Sequence, residues 1–432
     1  YNITNKNICS IRGAGILSRV ILHSDCNAFY ASVECCLHPS LQGKAVAVCG
    51  DAEARHGIVL AKNEAAKASG VKTGETIWQA KKKCPHLVTV NAQFARYLEF
   101  SEKVRAIYAD YTNQVEPFGL DEAWLDVTGS QHLFGNGMRI AGEIRRRVKK
   151  EVGITVSIGV SYNKVFAKLG SDYKKPDAVT LITKENYRSL LWPLPVDALL
   201  YVGKAFKEKL ARLGIYTIGE LAACRLNILQ KNLGKWGNWL YLAANGMEHA
   251  PVLSHEFIRP PQWIGNFTTT VRDLQTMQDI KIVFSALADS VGRRMRRHRL
   301  CCRTVCIHVR DCAFTTYTRQ IRLSVPTCMT VDIFHTAFSL FCENHKGKRA
   351  VRALGLRVGD FLPVETGRQL SLFEQEEQQR TRCERLQCVA DTLKDRYGSG
   401  VLFPALHLVD QRLSGFAHEG LSSVQCKDSK SE

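Results

Sequence analysis

Short apolar stretches alternate with amphipathic ones along residues 19–187, and this alternation limits the fold more than any other feature of the chain. Val20-Ile21-Leu22-His23 predicts a strand, and residues 154–160 predict another. Residues 96–111 and 137–151 show the spacing of amphipathic helices. Strands that alternate with helices along a chain usually form a sheet covered by helices. We therefore expect an α/β layer in this part of the protein.

The pattern changes after residue 187. Residues 188–252 predict short helices separated by glycines, which is typical of a small helical domain. Pro260 and Pro261 mark a linker over residues 253–265. Residues 266–362 then run strand, helix, strand, strand, helix, strand, a βαββαβ unit. The fold class expected for the whole chain is α/β and α+β multidomain.

Both ends of the chain lack a clear pattern. Residues 1–18 show no periodicity and predict a disordered N-terminal extension. Residues 363–432 are polar and begin with a Gln- and Glu-rich stretch, so we expect a flexible C-terminal tail. Within that tail, residues 381–396 have the composition of a helix.

The charge of the chain points to a polyanionic partner. Lys and Arg number 59 against 41 Asp and Glu, which gives a net charge of +18. No apolar run reaches the roughly 18 residues of a membrane span, so nucleic acid is favoured over a membrane. The 16 Cys include no C-x-x-C pair, so a structural zinc site is not expected. Free thiols in a reducing cytoplasm account for them.

An acidic pair lies in the turn between two apolar strands, residues 113–118 and 123–128. Asp121 and Glu122 form this pair, and Asp25 ends the first strand of the chain. Phosphoryl transfer by two metal ions needs carboxylates from separate segments held on rigid strand ends. An ordinary acidic hairpin turn is the alternative, but charges between buried strands cost free energy unless they are paired or bind metal.

Three longer motifs in the same order resemble the Y-family DNA polymerases. They are V-I-L-H-S-D-C-N-A-F-Y-A-S-V-E at 20–34, P-F-G-L-D-E-A-W-L-D-V-T at 117–128 and S-Y-N-K-V-F-A-K-L-G-S-D-Y-K-K-P at 161–176. The DNA polymerase IV branch is the nearer match, and the polymerase V branch stays open. The resemblance implies a right-hand polymerase with palm, fingers and thumb, followed by a little-finger domain. The resemblance would place the palm at residues 19–30 and 95–187, the fingers at 31–94, the thumb at 188–252, the linker at 253–265 and the little finger at 266–362.

The resemblance also implies roles for single residues. Asp25, Asp121 and Glu122 would hold two Mg²⁺ ions, which Mn²⁺ could replace, and Tyr30 would be the steric gate against ribonucleotides. The incoming triphosphate would contact Lys67 and Lys175. The chain departs from the family pattern at Glu64, Lys67, Gly119 and Trp124, where relatives often have Tyr, Arg, Ser and Tyr. These departures leave the carboxylates intact and put the nucleotide preference in doubt.

Two segments are expected to bind DNA phosphates. Gly203 and Lys204 belong to a stretch similar to a helix-hairpin-helix, whose backbone N–H groups can face a phosphate; a purely structural turn is equally open. The densest basic cluster lies in the little finger and comprises Arg293, Arg294, Arg296, Arg297, Arg299 and Arg303. We call these six residues the arginine cluster and expect it to grip the duplex backbone.

The tail carries the pentapeptide Q-L-S-L-F, which resembles the peptide that binds the bacterial sliding clamp. Its residues are Gln369, Leu370, Ser371, Leu372 and Phe373. The expected function is low-fidelity translesion synthesis on primer–template DNA with dNTPs, by a monomer in the bacterial cytoplasm. A non-catalytic adaptor of the same family and a nucleotide cyclase are the alternatives from other classes.

Overall fold

The computed structural model describes residues 19–51, 53, 55, 57–254, 257, 260–347, 349–364 and 374–418. These residues divide into two compact units, one drawn from 1–48 and 59–258 and the other from 49–58 and 259–432. The predicted extension at 1–18 and the Q-L-S-L-F peptide at 369–373 lie outside the described residues. None of the described helices is long and apolar enough to span a membrane.

The chain up to residue 191 alternates strands and helices, as predicted. In order, its elements are β1 (Ile21–Cys26), α1 (Phe29–Leu37), β2 (Val46–Cys49), β3 (Val59–Lys62), α2 (Glu64–Ala68), α3 (Ile77–Lys83), β4 (Val88–Asn91), α4 (Phe94–Ala109), β5 (Val115–Pro117), β6 (Glu122–Asp126), α5 (Gln131–Phe134), α6 (Gly137–Arg147), β7 (Val156–Ser161), α7 (Lys164–Tyr173), β8 (Val179–Leu181) and α8 (Tyr187–Leu191). A π-helical turn at Val148–Val152 extends α6. Strands β3, β2 and β4 form a small sheet in that order.

The main sheet has five strands in the order β5-β6-β1-β7-β8. Strand β1 lies at its centre, antiparallel to both neighbours, and all six of its residues are buried. Its alternate side chains face opposite sides of the sheet. On one side the Tyr108 hydroxyl of α4 donates to Ser24 at 2.8 Å. On the other side His23 and Asp25 face α7 and the residues that follow it.

A pair of glycines lets α7 lie directly on the sheet. A Cβ on Gly159 of β7 would come within 1.9 Å of the Ala167 carbonyl oxygen, and Gly170 lies against Gly159 in turn. Glycine within a strand allows such a close approach of two backbones. The close packing fixes the helix that carries Lys168 and Ser171 over the buried face of β1.

The predicted helical domain follows α8. Its helices are α9 (Lys204–Ala211), α10 (Ile218–Ala223), α11 (Leu226–Leu233) and α12 (Lys235–Ala244). Their buried apolar residues, such as Leu210, Leu229 and Leu240, form one core with Phe166 and Leu169 of α7.

The second unit confirms the βαββαβ prediction. Its elements are β9 (Trp263–Leu274), α13 (Met277–Arg297), β10 (Leu300–Asp311), β11 (Thr316–Thr327), α14 (Thr330–Asn344) and β12 (Val351–Pro363), followed by α15 (Glu374–Tyr397) and α16 (Gln411–His418). The sheet order is β11-β10-β12-β9, and both α13 and α14 contribute to its core. Strand β9 begins inside the predicted linker 253–265, because Trp263 pairs with Gly359 and packs under the Arg357 guanidinium at 4.5 Å.

The prediction of a flexible tail over 363–432 is wrong for residues 374–418. Helix α15 covers and extends the predicted helix at 381–396, and α16 packs on α13. Leu413 is buried in the core of the second unit, and the fully buried His407 contacts the Ser285 hydroxyl at 3.0 Å. Composition suggested a solvated tail, whereas tertiary contacts order this segment.

Candidate active site

The three predicted carboxylates lie at the same end of two paired strands. Asp25 of β1 stands directly opposite Glu122 of β6 in the antiparallel register. Asp121 immediately precedes β6, and its carbonyl oxygen accepts the backbone N–H of Cys26 at 2.9 Å. Asp126 lies at the other end of β6, opposite Ile21.

Helix α4 holds the turn that presents the acidic pair. The Arg105 guanidinium donates to the carbonyl oxygen of Gly119 at 2.6 Å, and the Ser101 hydroxyl donates to that of Leu120. Gly119 has φ +90°, which L-residues rarely adopt, and an added Cβ would sit 3.4 Å from a carboxylate oxygen of Asp121. The glycine that departs from the family pattern is therefore suited to this turn.

Two lysines neutralise the carboxylates. Nζ of Lys175, just beyond α7, lies 2.7 Å from Asp25 Oδ2 and 2.6 Å from Asp172 Oδ1. Nζ of Lys168, on α7, lies 2.5 Å from Glu122 Oε2. The predicted triphosphate ligand Lys175 therefore lies beside the predicted metal ligand Asp25.

The electrostatics of the site favour an added cation. Burial raises the pKa of the Asp25 carboxyl, although Lys175 opposes this shift. Burial and the charge of Glu122 likewise raise the pKa of Asp121. Burial alone would raise the pKa of Glu122 as well, but His23 and Lys168 lower it overall. The ionised forms of Asp25 and Asp121 are thus costly in the protein alone, and a bound cation would stabilise them.

The donor set fits a hard divalent cation. Asp25, Asp121 and Glu122 offer only oxygen ligands, which Mg²⁺ and Mn²⁺ prefer. Within the described ranges, no three His, Cys, Asp or Glu side chains already converge as a metal cluster, and two of the carboxylates here pair with lysines. Small side-chain rotations from these ion pairs would be needed to hold a metal.

Tyr30 faces this site from α1. Its ring stacks on Tyr97 with centroids 4.3 Å apart, and the Phe94 ring lies nearly perpendicular to it with centroids 5.9 Å apart. Tyr97 is itself fixed, because its hydroxyl donates to Glu34 Oε1 at 2.6 Å. Burial and the nearby charge of Asp121 raise the pKa of Tyr30. The predicted steric gate is therefore a half-buried, rigidly supported ring near the acidic pair.

Lys67, the second predicted triphosphate ligand, is exposed, whereas Lys175 lies beside Asp25. Lys67 on α2 is 59% exposed, and its ammonium pairs with Glu64 at 3.5 Å. Across the described residues, no contact joins Lys67 to the three carboxylates. Its role at a triphosphate stays a prediction.

The start of helix α9 carries the predicted hairpin residues. Gly203 is the residue before the first turn, Lys204 opens the helix, and no side chain caps it within the described chain. Such an end leaves backbone N–H groups for an anionic ligand. DNA contact at this position stays a prediction.

The arginine cluster is largely engaged inside the second unit. Arg296 binds both carboxylate oxygens of Asp391 on α15 at 2.7 and 3.0 Å, and also donates to Thr330 and to the Gln387 side chain. Arg293 and Arg297 both pair with Asp395. Arg294 donates to the Asn266 side chain at 2.8 Å. Helix α15 thus neutralises several of the charges that were expected to face DNA.

Sequence reasoning missed three residues beside the acidic group: His23 and Lys168, which contact Glu122, and Ser171, which contacts His23. His23, Ser171 and Lys168 all lie on the face of the sheet where Asp25 lies. Two sequence patterns could have pointed to them. His23 lies two residues before Asp25, so both side chains face the same side of a strand. Lys168 lies seven residues, or about two helical turns, before Lys175. Ser171 carried no signal of its own.

Three family models match this chain. Residues 24–172 match the impB/mucB/samB family, residues 261–372 match the C-terminal domain of that family, and residues 199–248 match the thumb domain of DNA polymerase iota. The first match includes all three carboxylates, and the third includes Gly203 and Lys204.

Curated relatives and a solved structure agree with these models. DNA polymerase IV of Acetivibrio thermocellus is 50% identical over 382 residues, covering 88% of this chain and 96% of the relative. DNA polymerase IV 1 of Bacillus subtilis is 39% identical over 386 residues, covering 89% and 92%. The solved Y-family DNA polymerase chimera Dbh-Dpo4(243-245)-Dbh superposes with a TM-score of 0.71 over 80% of this chain and 99% of the chimera, at 22% identity. The chain therefore belongs to the Y family of translesion DNA polymerases, and within it to the DNA polymerase IV branch.

Proposed function

We propose that this DNA-directed DNA polymerase adds dNMP to a primer 3′ end with two Mg²⁺ ions held by Asp25, Asp121 and Glu122. The observation that carries the proposal is the register of β1 and β6, which sets Asp25 opposite Glu122 with Asp121 beside them. Two divalent ions would supply Lewis-acid stabilisation of the attacking and leaving oxygens.

The side chains around the carboxylates are suited to binding the triphosphate, excluding a 2′-hydroxyl and balancing charge. Lys175 is close enough to Asp25 to exchange that ion pair for a phosphate oxygen of the incoming nucleotide. Tyr30, held by Tyr97, would lie under the sugar and exclude a 2′-hydroxyl. Lys168 keeps charge balance at Glu122 and does not need to touch the substrate.

Asp25→Asn tests this assignment, because the amide keeps the shape of the side chain and removes its charge. We expect primer extension to fall by about 10²–10³-fold or more, on the scale of lost electrostatic stabilisation, while DNA binding is retained. Glu99→Gln, on the exposed side of α4, is the matched control. Extension by Asp25→Asn at the wild-type rate would overturn the metal assignment.

DNA binding is proposed to combine the overall positive charge with the N-terminus of α9. Support comes from the net charge of +18 and from the helix start at Gly203 and Lys204, which no side chain of the described residues caps. Phosphate contacts release counterions, so affinity should fall steeply as salt rises. A dissociation constant that stays constant between about 50 and 200 mM salt would contradict this proposal.

The Q-L-S-L-F peptide is proposed to bind the bacterial sliding clamp. It lies immediately before α15, in a part of the chain outside the described residues. A pull-down with a bacterial clamp should lose the polymerase on Leu372→Ala plus Phe373→Ala. Leu386→Ala plus Val389→Ala, which alters exposed apolar residues of α15, is the control. Equal loss in both variants would refute binding through the peptide.

We also propose that the protein works as a monomer at the bacterial nucleoid. The basic charge of the chain supports an association with the nucleoid, and light scattering of the free protein tests whether it is a monomer. The non-catalytic adaptor finds no support, since every carboxylate of the site is present.

A further inference from the structure

His23 is a fully buried histidine beside the proposed metal site. It lies on β1, two residues before Asp25, and has 0% exposure. Its ring sits 5.1 Å from the Trp124 ring, centroid to centroid, which limits its rotation. Residues of two other elements approach its two ring nitrogens, Ser171 of α7 and Glu122 of β6.

The two ring nitrogens have different surroundings. Nδ1 lies 2.8 Å from Ser171 Oγ. Nε2 lies 3.2 Å from Glu122 Oε2 but off hydrogen-bond alignment, so within the described residues this buried atom has no well-aligned partner. Buried polar atoms in native proteins nearly always have a hydrogen-bond partner, so a buried atom without an aligned one is unfavourable and calls for an explanation. A small rotation of the Glu122 carboxylate would align the pair.

The tautomer of His23 follows from the hydrogen-bonding groups of its two neighbours, Glu122 and Ser171. An ionised carboxylate only accepts hydrogen bonds, so Nε2 needs to carry a proton toward Glu122. The Ser171 hydroxyl can donate, so it can serve an unprotonated Nδ1 by turning from the Lys168 carbonyl oxygen, to which it now donates at 2.7 Å.

We propose that His23 is a positioning residue, whose Nε2–H holds Oε2 of Glu122 and thereby turns Oε1 toward the metal ions. Lys168 contacts the same Oε2 atom. Its ammonium lies on a flexible stem and supplies charge, whereas the imidazole is a rigid ring fixed by Ser171 and supplies direction. This inference rests on the proposed two-metal site.

Three variants distinguish orientation of the Glu122 carboxylate by His23 from simple packing of the His23 side chain. His23→Leu fills the space without a donor. His23→Gln places an amide N–H near the position of Nε2. Ser171→Ala keeps the imidazole and removes the partner that fixes its tautomer. Thermal unfolding of each variant reports whether the fold is retained.

The first readout is direct Mn²⁺ binding, followed by electron paramagnetic resonance, to the full chain on primer–template DNA with a dideoxy-terminated primer and a dNTP. We expect His23→Leu to weaken Mn²⁺ binding by about 10–100-fold, the usual effect of losing an orienting partner. His23→Gln should recover most of the affinity, and Ser171→Ala should fall between them. The second readout is the ¹⁵N spectrum of labelled histidine, where the His23 signals, identified by their loss in His23→Gln, should report the Nε2–H tautomer.

An Asp121→Asn plus Glu122→Gln variant separates the two proposals. If it binds Mn²⁺ as tightly as the wild type, the metal site itself is wrong, and the His23 inference falls with it. If it loses binding while His23→Leu keeps wild-type affinity, only the His23 inference fails. Equal losses in His23→Leu and His23→Gln, with both folded, would assign the effect to ring packing and would also overturn the inference.

Discussion

At the scale of single residues, the surroundings of Tyr30 support its proposed role as a steric gate. The ring is fixed from one side by Tyr97, whose hydroxyl is anchored on the buried Glu34. A ring held in this way can discriminate by collision, because it cannot move aside without breaking several contacts. The motif alone predicted Tyr30, whereas the stack that holds it depends on residues 60 or more positions away along the chain.

Replacing Tyr30 by Ala should increase ribonucleotide incorporation relative to deoxyribonucleotide incorporation by roughly 10–200-fold, the range that steric fit provides. Tyr30→Phe keeps the ring and should keep the discrimination. Single-nucleotide insertion with matched rNTP and dNTP measures the ratio. An unchanged ratio in Tyr30→Ala would show that another residue is the gate.

The same scale explains which residues of the candidate site could be proposed from the sequence. Asp25, Asp121 and Glu122 were predictable because each lies in a motif with an apolar flank. The even step from His23 to Asp25 placed the two on one face of a strand, but the contact of His23 with Ser171 was not predictable, because it joins residues 148 positions apart and depends on the close packing of α7 on β7. Propensity and periodicity carry no information on such a contact.

At the scale of elements, the start of helix α13 combines a capping box with an ion pair. Thr276 and Asp279 cap each other, and Arg272 binds both Asp279 oxygens at 3.0 and 2.7 Å. The Arg272 side chain holds the pKa of Asp279 below its usual range. A carboxyl with a lowered pKa stabilises the fold above its unfolded pKa, and that stabilisation is lost progressively as the pH falls from the unfolded pKa through the lower folded pKa.

Asp279→Asn should therefore destabilise the second unit at pH 7 by about 1–3 kcal/mol, the cost of a lost charged hydrogen bond and cap. The difference from wild type should shrink as the pH falls below about 4, near the unfolded pKa of Asp. Thermal unfolding at several pH values measures it. Asp360→Asn, which breaks an exposed pair with Arg322, is the control and should have little effect. A penalty for Asp279→Asn that is independent of pH would contradict the ion-pair account.

Element types were predictable to a greater extent than element ends. The predicted helix 137–151 ends as α6 at Arg147 with a π-helical turn beyond it, and the strand predicted at 123–128 is β6 at Glu122–Asp126. Helix α15 starts seven residues before its prediction. Its acidic residues bind arginines of α13, and no local sequence pattern predicts that contact.

At the scale of the whole molecule, charge is distributed unevenly. The chain carries a net charge of +18, yet much of the arginine cluster is paired with Asp391 and Asp395 of α15. Lys394 of α15 binds Asp289 of α13 at 2.6 Å, which also holds the helix in place. The charge available to DNA is therefore smaller than a count of arginines suggests.

Asp391→Asn plus Asp395→Asn should free arginine charge and tighten DNA binding. Each arginine that gains a phosphate contact should steepen the slope of log affinity against log salt by about 0.9. Glu99→Gln plus Glu102→Gln removes the same formal charge from α4 and is the control. Fluorescence anisotropy over a salt series measures both. An unchanged slope would show that the arginine cluster does not reach DNA.

The most direct test of the catalytic assignment is single-turnover insertion of one dNTP with Mg²⁺ by Asp121→Asn plus Glu122→Gln, measured beside the DNA affinity of the same protein. We expect the insertion rate to fall by at least about 10²–10³-fold, as for the loss of strong electrostatic stabilisation, while the variant binds primer–template as the wild type does. Glu99→Gln plus Glu102→Gln should insert at the wild-type rate. Insertion at the wild-type rate by the Asp121 and Glu122 variant would contradict the account and place the chemistry elsewhere in the chain.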